Sequence, residues 1–335
     1  MDKTEFTFSG ENLEKEMQSF AQRKITELYV HDKKIASDKK TLIHFLNSAI
    51  KEIPDVFINL KLNATLIDNE IISLLSQLFC SLEIPMTNND RCNSKERDVY
   101  LFDKKLFSKK AALLNDGGFV FGFDLDFALS AGDCFKMFRD RLDFAMTLYP
   151  NHIDFPQLEK GFPFKEICTG TYSSQEIDYS KKLAVSAKIF YTKGRAVPWF
   201  NVVLNALKFS PSKFFSDFSE WLSCNNVPLN DIEKAESLTQ KEIEKMQLLF
   251  LEMKFEEKQK EHLYVIVKDV VSLYGAFSRI DFENEETVLF LSFNPDDLLS
   301  PAVLNLSNFA DSVCMQECKV KVFAGEDSPD YKIIE

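Results

Sequence analysis

The first half of the chain switches repeatedly between helix-period and strand-period spacing of its apolar residues, and few folds accommodate that alternation. Leu13, Met17, Phe20 and Ala21 fall on one helical face, and the short apolar run Leu28-Tyr29-Val30 follows. Leu42, Ile43, Leu46, Ala49 and Ile50 make a second helical face, after which Val56 to Leu62 alternates with period two. The spacing then predicts a helix near 68–79, a strand at Ser81 to Ile84, and a helix over 104–115 that stops at Asp116-Gly117-Gly118. A strand over Phe119 to Phe127, a helix over 133–148 and a last strand at Ile153-Asp154-Phe155 complete the series. Five strands separated by helices imply a parallel sheet, open or curled into a barrel, and periodicity alone does not choose between them.

Past residue 158 the pattern changes, which places a domain boundary near Glu159-Lys160-Gly161: a first domain over 1–158 and a second over 159–335. Ser173-Ser174-Gln175-Glu176 reads as a capping box opening a helix that runs to Gly194. Gly194 is expected to end it in the left-handed conformation, with Pro198 and Trp199 locking a packed turn. Two further helices are expected at about 239–258 and 260–276, with Met246, Leu249, Phe250 and Met253 as a core stripe. Val288 to Leu291 and Lys319 to Phe323 suggest a small β element, so this domain should be mainly helical.

With 40 basic against 52 acidic residues, the chain offers no basic face to displace counterions from a polyanion, and nucleic acid is not an expected partner. No apolar run reaches about 18 residues, so no membrane span is expected. Met1-Asp2-Lys3-Thr4-Glu5 has no apolar signal core, and seven scattered cysteines do not suggest a disulfide scaffold; the chain reads as cytoplasmic. Cys80 and Cys134 read as small buried hydrophobes. His31, His44, His152 and His262 lie far apart in sequence and form no triad pattern with Ser or Cys.

Polar residues collect where strands end. Asn59, Lys61 and Asn63 share a face of the second strand, opposite Val56, Ile58, Leu60 and Leu62. Glu83, then Asp124 and Asp126, fall late in the next two strands, with His31 and Asp32 ending the first and His152 and Asp154 in the last. In α/β proteins ligands sit at strand C-termini. Asp32, Lys61, Asn63, Glu83, Asp124, Asp126 and Asp154 are therefore the candidate ligand-binding residues, with no metal-ligand spacing among them.

The order of these segments resembles a known family. Asn115-Asp116-Gly117-Gly118-Phe119-Val120-Phe121-Gly122-Phe123-Asp124-Leu125 looks like the strand before the glycine-rich loop of radical S-adenosylmethionine enzymes. Phe138-Arg139-Asp140-Arg141-Leu142-Asp143-Phe144-Ala145 and Tyr149-Pro150-Asn151-His152-Ile153-Asp154 resemble the cobalamin-binding subset. Phe190-Tyr191-Thr192-Lys193-Gly194-Arg195-Ala196-Val197-Pro198-Trp199-Phe200 resembles that subset's C-terminal domain. The resemblance implies an α/β fold: an incomplete radical-SAM-like (β/α) barrel with about five parallel strands, followed by the mainly helical domain.

It also implies a function, through the chain's departures from it. The family's cluster needs CxxxCxxC after the first barrel strand. The resemblance implies that this chain starts beyond that loop and beyond the cobalamin domain. The echo Cys314-Met315-Gln316-Glu317-Cys318 would need its third ligand at Lys321. The adenosyl-facing loop reads Ala128-Leu129-Ser130-Ala131-Gly132-Asp133, the central strand ends in Lys61 and Asn63, and Pro85-Met86-Thr87-Asn88 replaces a glycine-led turn. No S-adenosylmethionine, iron–sulfur cluster or cobalamin is therefore expected here. The expectation is a non-catalytic relative, a pseudoenzyme that binds a small ligand or a protein partner, with self-association or a partner at the open barrel edge. The alternative is a subunit of a split enzyme whose cluster loop and cobalamin domain lie on another polypeptide.

Overall fold

The computed structural model describes residues 12–86, 102–129, 132–159, 165–166, 168–227, 232–326 and 328–334. The chain forms two compact units, Met1–Gln157 with Pro163–Thr171, and Leu158–Phe162 with Tyr172–Glu335. The expected boundary residues Lys160 and Gly161, and Thr87, Asn88, Ser130 and Ala131, lie outside the described residues.

In the first unit, helix α1 (Leu13–Gln22) precedes strand β1 (Glu27–Val30), α2 (Lys33–Ser37) and α3 (Lys39–Glu52). Then come β2 (Phe57–Lys61), α4 (Asn69–Leu75), β3 (Cys80–Pro85), α5 (Lys104–Asp116), β4 (Val120–Asp124), α6 (Phe135–Met146) and β5 (His152–Asp154). Aspartates start the helices: Asp38 accepts the Thr41 amide, Asp68 that of Ile71 and Asp103 that of Leu106. Gly118, at φ +68°, turns the chain out of α5 as only glycine does without strain.

The sheet order is β1-β2-β3-β4-β5 and every pairing is parallel. A doubly wound sheet reverses its order at a switch point; this one never does. It is singly wound, the topology of an arc of a (β/α) barrel, and right-handed crossovers put the helices on a single face. Ile58, Leu60, Leu82, Ile84, Phe121, Phe123 and Ile153 carry that face into the core. The helices pack in chain order, α1 on α3, α3 on α4 and α4 on α5.

The second unit holds α7 (Ser174–Ala187), which opens on the expected capping box and runs directly into a π-helical turn over Lys188–Lys193. There follow α8 (Phe200–Leu207), α9 (Pro211–Cys224), α10 (Ile232–Ser237), α11 (Gln240–Glu257) and α12 (Glu261–Glu283). β6 (Thr287–Leu291), α13 (Pro295–Leu298), α14 (Leu306–Ser312), β7 (Cys318–Ala324) and β8 (Pro329–Ile333) close it. Gln247 of α11 donates to the carbonyls of Phe190 and Gly194 at 2.8 and 3.0 Å, satisfying acceptors at the π turn. The core is aromatic: the Phe190 ring lies 4.9 Å from both Phe214 and Phe218, and Phe200 stacks on Phe215 at 5.1 Å.

Three sequence expectations fail here. Gly194 is not left-handed (φ −76°); Arg195 is, at φ +49°, because the π turn shifts the helix stop by one residue. The buried stripe of α11 is Ile243, Gln247, Phe250, Leu251, Lys254 and Phe255, leaving Leu249 exposed, because a buried Gln and Lys interrupt the apolar pattern. Cys80 and Cys134 are half-buried rather than core. Among the described residues, no helix is long and apolar enough to cross a membrane.

Candidate functional site

Parallel pairing sets residues of equal register side by side on one face of the sheet. Away from the helices that face is built in rows. Tyr29, Asn59, Ser81 and Val120 form the lowest; Lys61, Glu83, Gly122 and His152 the next; Pro85, Asp124 and Asp154 the one nearest the strand C-termini. Strand alternation that makes one face apolar makes this face polar.

The side chains bridge between rows and strands. Lys61 of β2 reaches across β3 to form an ion pair with Asp124 of β4. His152 of β5 reaches in the opposite direction, across β4. Its Nδ1 meets Asp154 Oδ2 at 2.5 Å and its Nε2 lies 3.4 Å from Ser81 Oγ on β3. Gly122 makes that crossing possible: a Cβ there would come within 2.1 Å of the His152 ring. Glu83 completes the group, with His31 Nε2 3.6 Å from its Oε2. Asn59 Oδ1 is buried with no hydrogen-bond partner among the described residues.

Burial sets the protonation. Glu83 is pushed up to about 7, chiefly by loss of hydration and then by the carboxylates of Asp124 and Asp154, against the pull of Lys61 and His152. Burial also holds Asp124 above the usual carboxylate range, although Lys61 opposes it. For His152 burial alone would favour the neutral ring; the Asp154 hydrogen bond and the surrounding carboxylates together outweigh it and raise the pKa. The site thus keeps one carboxyl able to exchange a proton near neutrality, beside an imidazole held toward its protonated form.

The Ser81–His152–Asp154 chain invites comparison with a hydrolytic triad, but Ser81 sits mid-strand between β2 and β4. Its own strand's amides belong to the ladder rather than turning toward the hydroxyl.

Of the seven residues expected from sequence, Lys61, Glu83, Asp124 and Asp154 come together. Asp32 caps α2, accepting the amides of Lys34 and Ile35 at 2.8 and 2.9 Å. Asn63 follows β2 and its amide donates to the Ala36 carbonyl, while Asp126 gives its carbonyl to Arg141. Sequence reasoning missed Ser81, Gly122 and the meeting of His152 with Asp154. Strand alternation carried the signal: Ser81 and Glu83 share a face, as do His152 and Asp154, with a glycine on the strand between.

Above β4 the chain is pinned. Arg141 grips Asp133 with two bonds of 2.8 and 3.1 Å, both side chains buried, and Asp133 accepts the Ala128 amide at 3.1 Å. Ala128 itself is buried and left-handed, at φ +53°.

No family model matches the chain, and no curated protein matches it. Two solved structures of the radical S-adenosylmethionine methyltransferase TsrM from Kitasatospora setae are similar to part of it. One holds a tryptophan substrate and a SAM analogue; it is 17% identical with a TM-score of 0.33, over 42% of this chain and 28% of that one. The other holds cobalamin and a [4Fe-4S] cluster; it is 16% identical with a TM-score of 0.33, over 42% of this chain and 29% of that one. This chain thus spans less than a third of those proteins, and a likeness of that size transfers no chemistry.

The described residues present no set of thiolates that would hold an iron–sulfur cluster. Among the described residues the cysteines are free, and no three His, Cys, Asp or Glu side chains gather to hold a metal ion. Cys314 is exposed, whereas Cys318 is buried in β7 with its Sγ 3.4 Å from the Phe293 carbonyl.

Proposed function

We propose that this chain is a binding protein built on a partial (β/α) barrel. It takes a small polar ligand against the polar face of the sheet and performs no radical chemistry of its own. The observation that supports the reading is the convergence of Lys61, Glu83, Asp124, His152 and Asp154 on one face, with Glu83 near neutrality. Keeping a carboxyl so desolvated beside two others costs stability, and such groups cluster at functional sites. Lys61 and Asp124 would orient the ligand, while Glu83 and His152 would match its protonation.

A thermal-shift screen of small polar metabolites tests this, followed by calorimetry of each hit on Lys61→Ala and Asp124→Ala. Hits that bind both variants as tightly as the parent chain would sink the assignment, as would a screen without hits. Anaerobic iron and sulfide reconstitution should leave the chain colourless; a stoichiometric four-iron cluster would overturn the non-catalytic part.

A further inference from the structure

The sheet of the second unit has order β6-β7-β8, so β6 and β8 are its edges. β8 is guarded in the way natural edges are, opening on Pro329 and carrying Asp330 and Lys332. β6, Thr-Val-Leu-Phe-Leu, has neither a charge nor a proline. Among the described residues its backbone pairs with β7 alone. An unguarded apolar edge is a template for another strand.

The face beside that edge has an unusual charge. Leu291, Cys318, Val320 and Val322 point into the unit's core. The opposite face carries Val288 and Phe290, 45% and 77% exposed, with Lys321 and Lys319 directly across on β7 and Lys332 beyond on β8. Lys319 lies 5.8 Å from the Phe290 ring centroid and Lys332 5.8 Å from that of Phe323. Lys321 and Lys332 are cross-strand partners, a like-charge pairing that disfavours the sheet unless an anion lies near. Glu286 answers Lys321 at 2.5 Å, and Asp330 stands opposite Phe323. Three lysines on one small sheet, in a chain with 52 acidic and 40 basic residues, form a local reversal of the overall charge.

We propose that β6 and this face dock an extended acidic peptide, which adds as a fourth strand along β6. Its backbone would take up the free edge, and alternate side chains would lie beside Val288 and Phe290. Glutamates there stand two strand spacings from the β7 lysines, roughly 9.6 Å, which a Glu and a Lys side chain span together. A second copy of the chain fits less well, since its own uncharged β6 would bring no anion to the β7 and β8 lysines. A nucleic acid has no peptide backbone with which to extend the ladder along β6.

The test uses the full chain and a fluorescently labelled, end-capped peptide Glu-Val-Glu-Phe-Glu-Val-Glu, read by anisotropy. Its lysine counterpart and a single-stranded oligothymidine serve as comparisons. The acidic peptide should bind, weaken with added salt, and slow amide exchange across Thr287–Leu291. Phe290→Glu, at an exposed position, and the double variant Lys319→Glu/Lys332→Glu should each weaken it by about tenfold or more. No binding, equal binding of the lysine peptide, preference for the oligothymidine, or an unchanged affinity in both variants would each overturn the proposal. So would a doubling of the 38.6 kDa mass on concentration that Phe290→Glu abolishes, since the edge would then belong to a second copy.

Discussion

Replacing Glu83 by Gln should make the first unit more stable, and only above a particular pH. The Glu83 carboxyl titrates near 7 in the folded chain against an ordinary value of 4.5. A displacement of about 2.5 units corresponds to about 3.4 kcal/mol, and residual exposure of 17% brings the expectation to roughly 2–3 kcal/mol. The sign follows from proton counts. Between pH 4.5 and about 7 the folded chain holds a proton that the unfolded chain has released, so stability falls as pH rises through that window. Gln keeps the shape and removes the titration. The variant should match the parent near pH 4 and exceed it by roughly 2–3 kcal/mol near pH 8.5, the shifts of His152 and Asp124 being common to both to first order. Trp199 and Trp221 both belong to the second unit, so fluorescence would follow the wrong half of the molecule. Peptide-resolved hydrogen exchange of β2, β3 and β4 in urea reads the right one. A variant-minus-parent difference that stays within about 0.5 kcal/mol between the two pH values would refute the burial argument.

Three other outcomes are expected. Gly122→Ala places a methyl 2.1 Å from the His152 ring, so the ring must leave Asp154; a cost of about 1–3 kcal/mol and a fall in the His152 titration midpoint by NMR should accompany it. Arg141→Met strands the buried Asp133 carboxylate and should cost about 3–5 kcal/mol in denaturant melts, much of it recovered when Asp133→Asn is added. Ala128→Gly relieves a left-handed alanine at φ +53° and should stabilise by roughly 0.5–1 kcal/mol; an unchanged melting temperature would show that the conformation carries no strain.

Most of the first unit was legible because its elements bury one face each. Alternation in Val56 to Leu62 named both faces of β2, and apolar spacing at three and four placed α3, α4 and α5. Lys61, Glu83, Asp124 and Asp154 could be picked out because a strand end is a place, whichever strands adjoin it. What joins them was not legible. Lys61 meets Asp124 and His152 meets Ser81 only through strand order and register, which are long-range properties. Helix α8 escaped sequence reading because it is too apolar to show a clear polar face, with Phe200, Val202, Val203, Leu204 and Leu207 all buried; α9 carried its signal in exposed Lys213, Ser216, Glu220 and Ser223, spaced by three and four. Gly194 misled because a π turn has no composition of its own; Gln247, more than fifty residues away, satisfies the carbonyls it frees.

Gly122 has a consequence beyond making room. With a side chain there, the groups on β2 and β3 would be insulated from those on β5. Without one, His152 reaches Ser81 and enters the field of Glu83, and each of the two shifts the other's proton affinity. Proton uptake at Glu83 is then felt at His152 on a strand two places away. A ligand arriving there would meet one shared reservoir of charge, and would be able to settle its own protonation state by borrowing from it.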